Sequence, residues 1–252
     1  MKAIILAAGM GRRLAPVTDE APKCLTEIGG RTILAHQLRA FGENGVNDVV
    51  VVRGYRAEDI QVPGARYYLN DDYRNNNILW SLFYAAPEIG DEPFLFTYCD
   101  IVFPPEVVRR LLDAPGDFAL IVDRGWERAY QGRTLHPISE AELTQVQDGR
   151  IVEVGKRVRA EGTVGEFIGL MKVSARGAAT LAETWRDVRA RYQGREDQPF
   201  HRAAQFRKAY LTDMLQELIG RGETLVPVYI DGEWREIDTL QDLESARAWI
   251  WF

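Results

Sequence analysis

Four consecutive valines, Val49, Val50, Val51 and Val52, constrain this chain more than any other stretch. A strand with one wet face alternates apolar and polar side chains. An unbroken apolar run belongs instead to a strand covered on both faces, as in the interior of a parallel sheet flanked by helices. The surrounding sequence fits that placement. Residues 3–6 read as a second buried strand, and residues 33–41 carry Ile33, Leu34, Leu38 and Phe41 at helical spacing before Gly42 and Gly45 interrupt them. Residues 65–69 and 94–98 add strands, residues 78–86 a helix between them, and Pro105 opens a further helix at its first turn. This alternation predicts an α/β fold, a Rossmann-like three-layer α/β/α arrangement with a mixed, mostly parallel central sheet.

Past Asp117 the pattern changes. Residues 118–122 read as a strand, residues 143–154 as a hairpin turning at Asp148-Gly149, and residues 166–173 as a return to the sheet. Between Asp123 and Pro137 a polar and aromatic stretch reads as a loop over one face, so about 123–165 is a lid-like insertion within a single domain of residues 1–252. Helices are predicted over 175–192 and 203–219 with a polar, mobile 194–199 between them. A strand over 226–230, a turn at Asp231-Gly232, a strand over 234–237 and a helix from Thr239 complete the chain.

Composition narrows the function. A formal charge of −6, with no dense basic block, argues against a nucleic-acid partner. Two cysteines, Cys24 and Cys99, are too few for a disulfide framework and lack metal-ligand spacing, which suits a cytoplasmic protein. The N-terminal apolar run is too short for a secretory leader, and no window is apolar for long enough to span a bilayer, so no membrane is expected.

The chemistry concentrates in Leu6-Ala7-Ala8-Gly9-Met10-Gly11-Arg12-Arg13, continuing to Pro22-Lys23-Cys24-Leu25. Small residues after a strand let the backbone approach a ligand, their amides face phosphate oxygens, and Arg13 and Lys23 supply positive charge at either end. No Gly-Lys-Ser/Thr follows, so this is not a P-loop, and the third glycine of the dinucleotide fingerprint is missing.

The run from Leu6 to Leu25 resembles the motif of the nucleotidyltransferases that make nucleoside-diphosphate sugars and alcohols. Further landmarks are similar in order: Gly54-Tyr55, Cys99-Asp100, Glu166-Phe167-Ile168-Gly169 and Trp234-Arg235-Glu236-Ile237-Asp238-Thr239. The length and the segment from Asn70 through Asn75-Asn76-Asn77 to Ser81 look most like the cytidylyltransferases that activate phosphocholine or aminoalkylphosphonates. Arg12 departs from the pattern, standing where the family often has a small hydroxyl residue.

The resemblance implies transfer of CMP from CTP to a small phosphorylated or phosphonylated amino alcohol, with release of pyrophosphate. Asp100 and Asp238 would hold one Mg²⁺ between acceptor and α-phosphate. Lys23 would draw the two anions together, and Arg13 with the loop amides would hold the outer phosphates. Read without the resemblance, each aspartate is more simply a cap for the element after it than a metal ligand. Nucleotide contacts are expected from Leu6, Ala7, Ala8, Gly9, Met10, Gly11, Arg12, Arg13, Gly54, Asn77 and Ser81. For the acceptor, Lys23, Trp126, Tyr130, Glu166, Asp213 and Trp234 are the candidates, with Trp80, Trp185 and Asp123 as further aromatic or acidic partners. Cys24 and Cys99 adjoin these residues and are expected within the catalytic region. Two alternatives stay open, a sugar-1-phosphate nucleotidyltransferase and a non-catalytic nucleotide-binding regulatory module. The tail at residues 250–252 reads either as a homodimer contact or as docking on its own domain.

Overall fold

A computed structural model describes residues 1–248. The first half contains β1 (Lys2–Ala7), β2 (Glu27–Ile28), β3 (Arg31–Thr32), α1 (Ile33–Gly42), β4 (Asp48–Arg53), β5 (Arg66–Leu69), α2 (Ile78–Tyr84), β6 (Phe94–Tyr98), β7 (Ile101–Val102) and α3 (Pro105–Asp113). The second contains β8 (Phe118–Asp123), α4 (Trp126–Tyr130), β9 (Leu143–Gln147), β10 (Arg150–Gly155), β11 (Thr163–Val173), α5 (Ala175–Tyr192), α6 (Leu211–Gly220), β12 (Leu225–Ile230), β13 (Arg235–Glu236) and α7 (Leu240–Ala248).

Nine strands form the main sheet in the order β5-β4-β1-β6-β11-β8-β12-β10-β9. Neighbours from β5 to β6 run parallel, β8 and β12 are parallel to each other, and β11 and β10 run against their neighbours. The valine run accounts for the layering. Val50 and Val52 join Ile4, Leu6, Phe94 and Phe96 beneath α2, α5 and α6. Val49 and Val51 join Ala3, Ile5 and Leu95 beneath α1 and α3. Side chains of period two thus feed two cores on opposite faces, the three-layer α/β arrangement expected from the sequence. Each fully buried valine contributes on the order of 1.5 kcal/mol or more to holding its layer.

The hairpin forms as expected: Asp148 and Gly149 both take positive φ, 49° and 74°, between β9 and β10. Elsewhere the sequence reading needs correction. The stretch after Asp123 is not an open loop, because Trp126 and Tyr130 lie on α4 and pack with Ala141, Leu143 and Val158 as a small core of their own. The helix expected from 203 begins only at Leu211, since Asp213 Oδ2 accepts the Tyr210 amide at 2.8 Å and fixes the first turn there. Residues 194–199 are pinned: the Phe206 amide donates to Gln198 O at 2.7 Å, and the Tyr192 hydroxyl to Pro199 O at 2.9 Å. The last expected strand shrinks to β13, which pairs with β7 outside the main sheet. The tail at 250–252 lies outside the described residues.

Candidate active site

The loop after β1 and the two expected aspartates meet at the carboxyl ends of the central strands. Lys23 sits on a 3-10 turn, Lys23–Leu25, almost fully buried, and its Nζ lies 2.7 Å from Asp100 Oδ2 and 2.7 Å from Asp238 Oδ1. Gly11 makes this approach possible. It takes φ 59°, and a Cβ there would stand 3.0 Å from Lys23 Cβ and 3.1 Å from Thr18 Cγ2. Gly9 is open on its cavity side, where a Cβ would meet nothing within 4 Å.

Asp100 follows β6, whereas Asp238 follows β13, outside the main sheet. The β7–β13 ribbon places it: Glu236 pairs with Ile101, and the Ile237 amide donates to Asp100 O at 2.8 Å, so the two aspartates become neighbours. Gln37 on α1 holds the other side of this turn, donating to Tyr98 O and Ile101 O, each at 2.7 Å. Neither aspartate acts as a helix cap here. At the start of α7 that role belongs to Asp242, whose Oδ2 accepts from the amides of Asp238 and Thr239 at 3.1 and 2.8 Å, leaving the Asp238 carboxylate to the cavity.

Charge at this point is strongly coupled. Burial disfavours the Lys23 ammonium, but the carboxylates of Asp100 and Asp238 outweigh it and hold its pKa above the ordinary value. Burial likewise opposes ionisation of Asp238, yet Lys23 keeps its pKa low. Arg13 pairs with Asp238 Oδ2, and His136 Nδ1 lies 3.3 Å from the same oxygen. Burial, then the charge of Arg133, pushes His136 down to about 4, so it is neutral near pH 7.

The donor set fits a hard divalent cation. Among the described residues, Asp100 Oδ1 is a buried oxygen without a hydrogen bond, Asp238 Oδ2 is met only by the Arg13 ion pair and His136, and carboxylate oxygen is the ligand such ions take. His136, Glu236 and Asp238 also bring one ligand atom each within 4.8 Å of one another.

These groups open onto a cavity of about 410 Å³. Of the residues expected from the sequence, Leu6, Gly9, Gly11, Arg12, Arg13, Lys23, Asn77, Asp100, Glu166, Trp234 and Asp238 line it. Others lie elsewhere. Ala7 is in the core under α1, and Ala8 packs against Gly54, where a Cβ would come 2.6 Å from Ala8 O. Met10 does not line the cavity. Ser81 accepts from Asn70 Nδ2 at 2.8 Å in a buried polar cluster with Asn76. Trp126 is in the α4 core, and Tyr130 reaches the cavity wall only through its hydroxyl, which donates to Glu166 Oε1 at 2.8 Å. Asp213 accepts backbone amides from Arg202 and Tyr210. Trp185 on α5 packs edge to face with Trp80, both half-buried against the core and away from the cavity. Asp123 is fully buried and accepts Trp234 Nε1 at 2.8 Å, which holds that indole against the cavity. Cys99 faces the cavity, whereas Cys24 is in the core.

Several lining residues escape the sequence reading. Glu142 stands just before β9 and Lys156 just after β10, so closing the hairpin brings both to one rim. Lys156 pairs with Glu140 at 2.6 Å and lies 4.3 Å from the centre of the Tyr210 ring. Glu142 accepts from the Tyr98 and Thr212 hydroxyls at 3.0 and 3.3 Å, and burial pushes it up to about 7 against the opposing charge of Lys156. The available signal is charged residues flanking an apolar hairpin.

Comparison with known proteins identifies the family and the fold. A family model described as the MobA-like NTP transferase domain matches residues 3–224. CTP:phosphoglutamine cytidylyltransferase of Campylobacter jejuni is 31% identical over 97% of this chain and 98% of its own. Choline-phosphate cytidylyltransferase of Streptococcus pneumoniae is 36% identical over a shorter stretch, 36% of this chain and 42% of its own. In fold, the chain superposes on the solved CTP:phosphocholine cytidylyltransferase of S. pneumoniae with a TM-score of 0.69 and 20% identity, covering 98% of this chain and 97% of that one.

Proposed function

The chain belongs to the MobA-like NTP transferase family, and from that premise we propose that it is a cytidylyltransferase: it transfers CMP from CTP to a small phosphorylated or phosphonylated amino alcohol or amino acid and releases pyrophosphate. The observation that carries this reading is the convergence of Lys23, Asp100 and Asp238 beside the glycine turn, supported by similarity over nearly the whole chain to a cytidylyltransferase.

An acceptor phosphate is already ionised near neutral pH, so a strong general base is unnecessary and the barrier is the meeting of two anions. Lys23 supplies the cation between them. Arg13 turns from Asp238 to the outer phosphates, while the open backbone at Gly9 lets a nucleotide approach and Asn77 lies on its side of the cavity. Asp100 and Asp238 would hold Mg²⁺, which would supply Lewis-acid neutralisation of phosphate charge. Glu142, Lys156, Glu166 and Trp234 form the acceptor wall. The free thiols Cys24 and Cys99 suit a reducing compartment, and we place the enzyme in the cytoplasm.

The test is pyrophosphate release with Mg²⁺, screened across CTP, UTP, GTP and ATP against phosphocholine, phosphoethanolamine, 2-aminoethylphosphonate, phosphoglutamine and hexose 1-phosphates. Turnover confined to CTP and amine-bearing acceptors is expected. Turnover confined to a hexose 1-phosphate overturns the assignment.

A further inference from the structure

Glu166 carries a buried oxygen that nothing among the described residues satisfies. Its residue is 4% exposed, it lines the cavity, and its carboxylate is fixed from one side only, by the Tyr130 hydroxyl on Oε1. Among the described residues no donor meets Oε2. A buried carboxylate oxygen left without a hydrogen bond is costly, so its partner is expected from outside the chain. The other acids considered for this role are engaged elsewhere: Asp123 accepts from Gly125, Gly232 and Trp234, and Asp213 from Arg202 and Tyr210.

The position fits an acceptor. Lys23, Glu236 and Glu166 line the same cavity, and burial followed by the Glu236 charge pushes Glu166 up to about 8, so that an arriving cation is what favours its carboxylate form. A molecule with its phosphorus at Lys23 therefore extends along this wall toward Glu166. The unpaired oxygen also discriminates between cations. A quaternary ammonium offers no N–H and can be held only on aromatic faces. Trp80, Trp126 and Trp185 do not line the cavity and the Tyr210 face already carries the Lys156 ammonium; Trp234 remains on the wall, but no aromatic face there gives Glu166 Oε2 the donor it lacks.

Resting on the reading above, we propose that the acceptor carries a primary ammonium a few bonds from its phosphate or phosphonate, that Glu166 Oε2 accepts a hydrogen bond from it, and that the site thereby selects against quaternary ammonium acceptors. A site built to accept an N–H discriminates strongly against an analogue lacking it, because the buried acceptor is then left unpaired.

The experiment compares phosphoethanolamine with phosphocholine, and 2-aminoethylphosphonate with its N,N,N-trimethyl derivative, on the full chain with CTP and Mg²⁺. The expected kcat/KM favours each primary amine by about 100-fold or more. In Glu166→Gln, KM for the primary amines should rise roughly 10-fold or more, with kcat changed far less, and the preference should collapse. The wild-type comparison needs no variant, so misfolding of Glu166→Gln leaves the test intact. Equal or better use of the trimethyl acceptors overturns the inference while cytidylyl transfer stands. Turnover with sugar 1-phosphates alone overturns that reading and this inference together.

Discussion

With its ammonium 2.7 Å from Asp100 and from Asp238, Lys23 bridges both carboxylates at the point where two further anions have to meet. Removing a preorganised charge of this kind costs on the order of 100-fold or more in kcat, and Lys23→Ala is expected to lose at least that, measured as pyrophosphate release at saturating substrates. A variant within about 10-fold of wild type would exclude Lys23 from the chemistry. Cys24, its neighbour in sequence, has the opposite character. Burial pushes its thiol up to about 12, so almost none is thiolate near pH 7.5. Cys24 should resist thiol reagents in the native protein and react once the chain is unfolded in denaturant; rapid native labelling at this position contradicts its placement. Lys23, Asp100 and Asp238 were legible in the sequence because Lys23 lies in a long motif and the two aspartates in landmarks that follow it in the same order. Trp126 and Asp213 were not, since their residue types suit ligand and packing equally and only tertiary contacts decide.

At the scale of elements, the glycine in β11 shows how the sheet shapes the cavity. Gly169 takes φ 83° where the β11 register shifts, and a Cβ there would fall 2.1 Å from the Tyr98 ring. Tyr98 in turn donates to Glu142 on the cavity wall. Gly169→Ala has to move that ring and strain the backbone, and is expected to destabilise the protein by about 2 kcal/mol or more, read from urea unfolding. A second element-scale prediction concerns the edge of the sheet. Glu88 accepts from Arg66 and Tyr68 on β5 and from Lys2 on β1, tying the turn after α2 to two strands. Its bonds to Arg66, working against burial, bring its pKa down from 4.5 to about 2. A depressed carboxylate stabilises the fold above its unfolded pKa, and that stability is lost as pH falls through the folded one. The contribution is therefore complete above about pH 5 and disappears toward pH 2. Glu88→Gln should cost about 1 kcal/mol at pH 7 and progressively less below pH 4, with Arg66 half exposed and partly screened. A cost independent of pH refutes the ionic account. Most of these elements were readable from period and turn chemistry, the valine strand and the Asp148-Gly149 hairpin above all. The β7–β13 ribbon was not, because pairs of two-residue strands leave no periodicity to read.

Across the whole molecule, the cavity joins the two halves of the sheet. Leu6, Gly9 and Lys23 come from the first half, Glu142, Lys156 and Glu166 from the second, with Asp100 and Asp238 held side by side by a ribbon drawn from both. The 123–165 segment has a small core of its own, yet it is not a separate body. Its β9 and β10 continue the main sheet, β9 also pairs with β11, and Arg133 is bound to Asp242 on α7. Opening the segment alone would expose the buried Glu142 and Glu166 and cut sheet hydrogen bonds, so we expect it to unfold with the rest in one cooperative transition. A ligand that bridges both halves then stabilises the whole. At 100 times its dissociation constant a nucleotide contributes about 2.7 kcal/mol, equivalent to a rise in Tm of roughly 5 to 10 °C for a chain of this size. Calorimetry with and without CTP and Mg²⁺ should show a single peak that moves upward as a unit. Two resolved peaks, with CTP shifting only one, would make the insertion an independent lid and confine nucleotide binding to the other half.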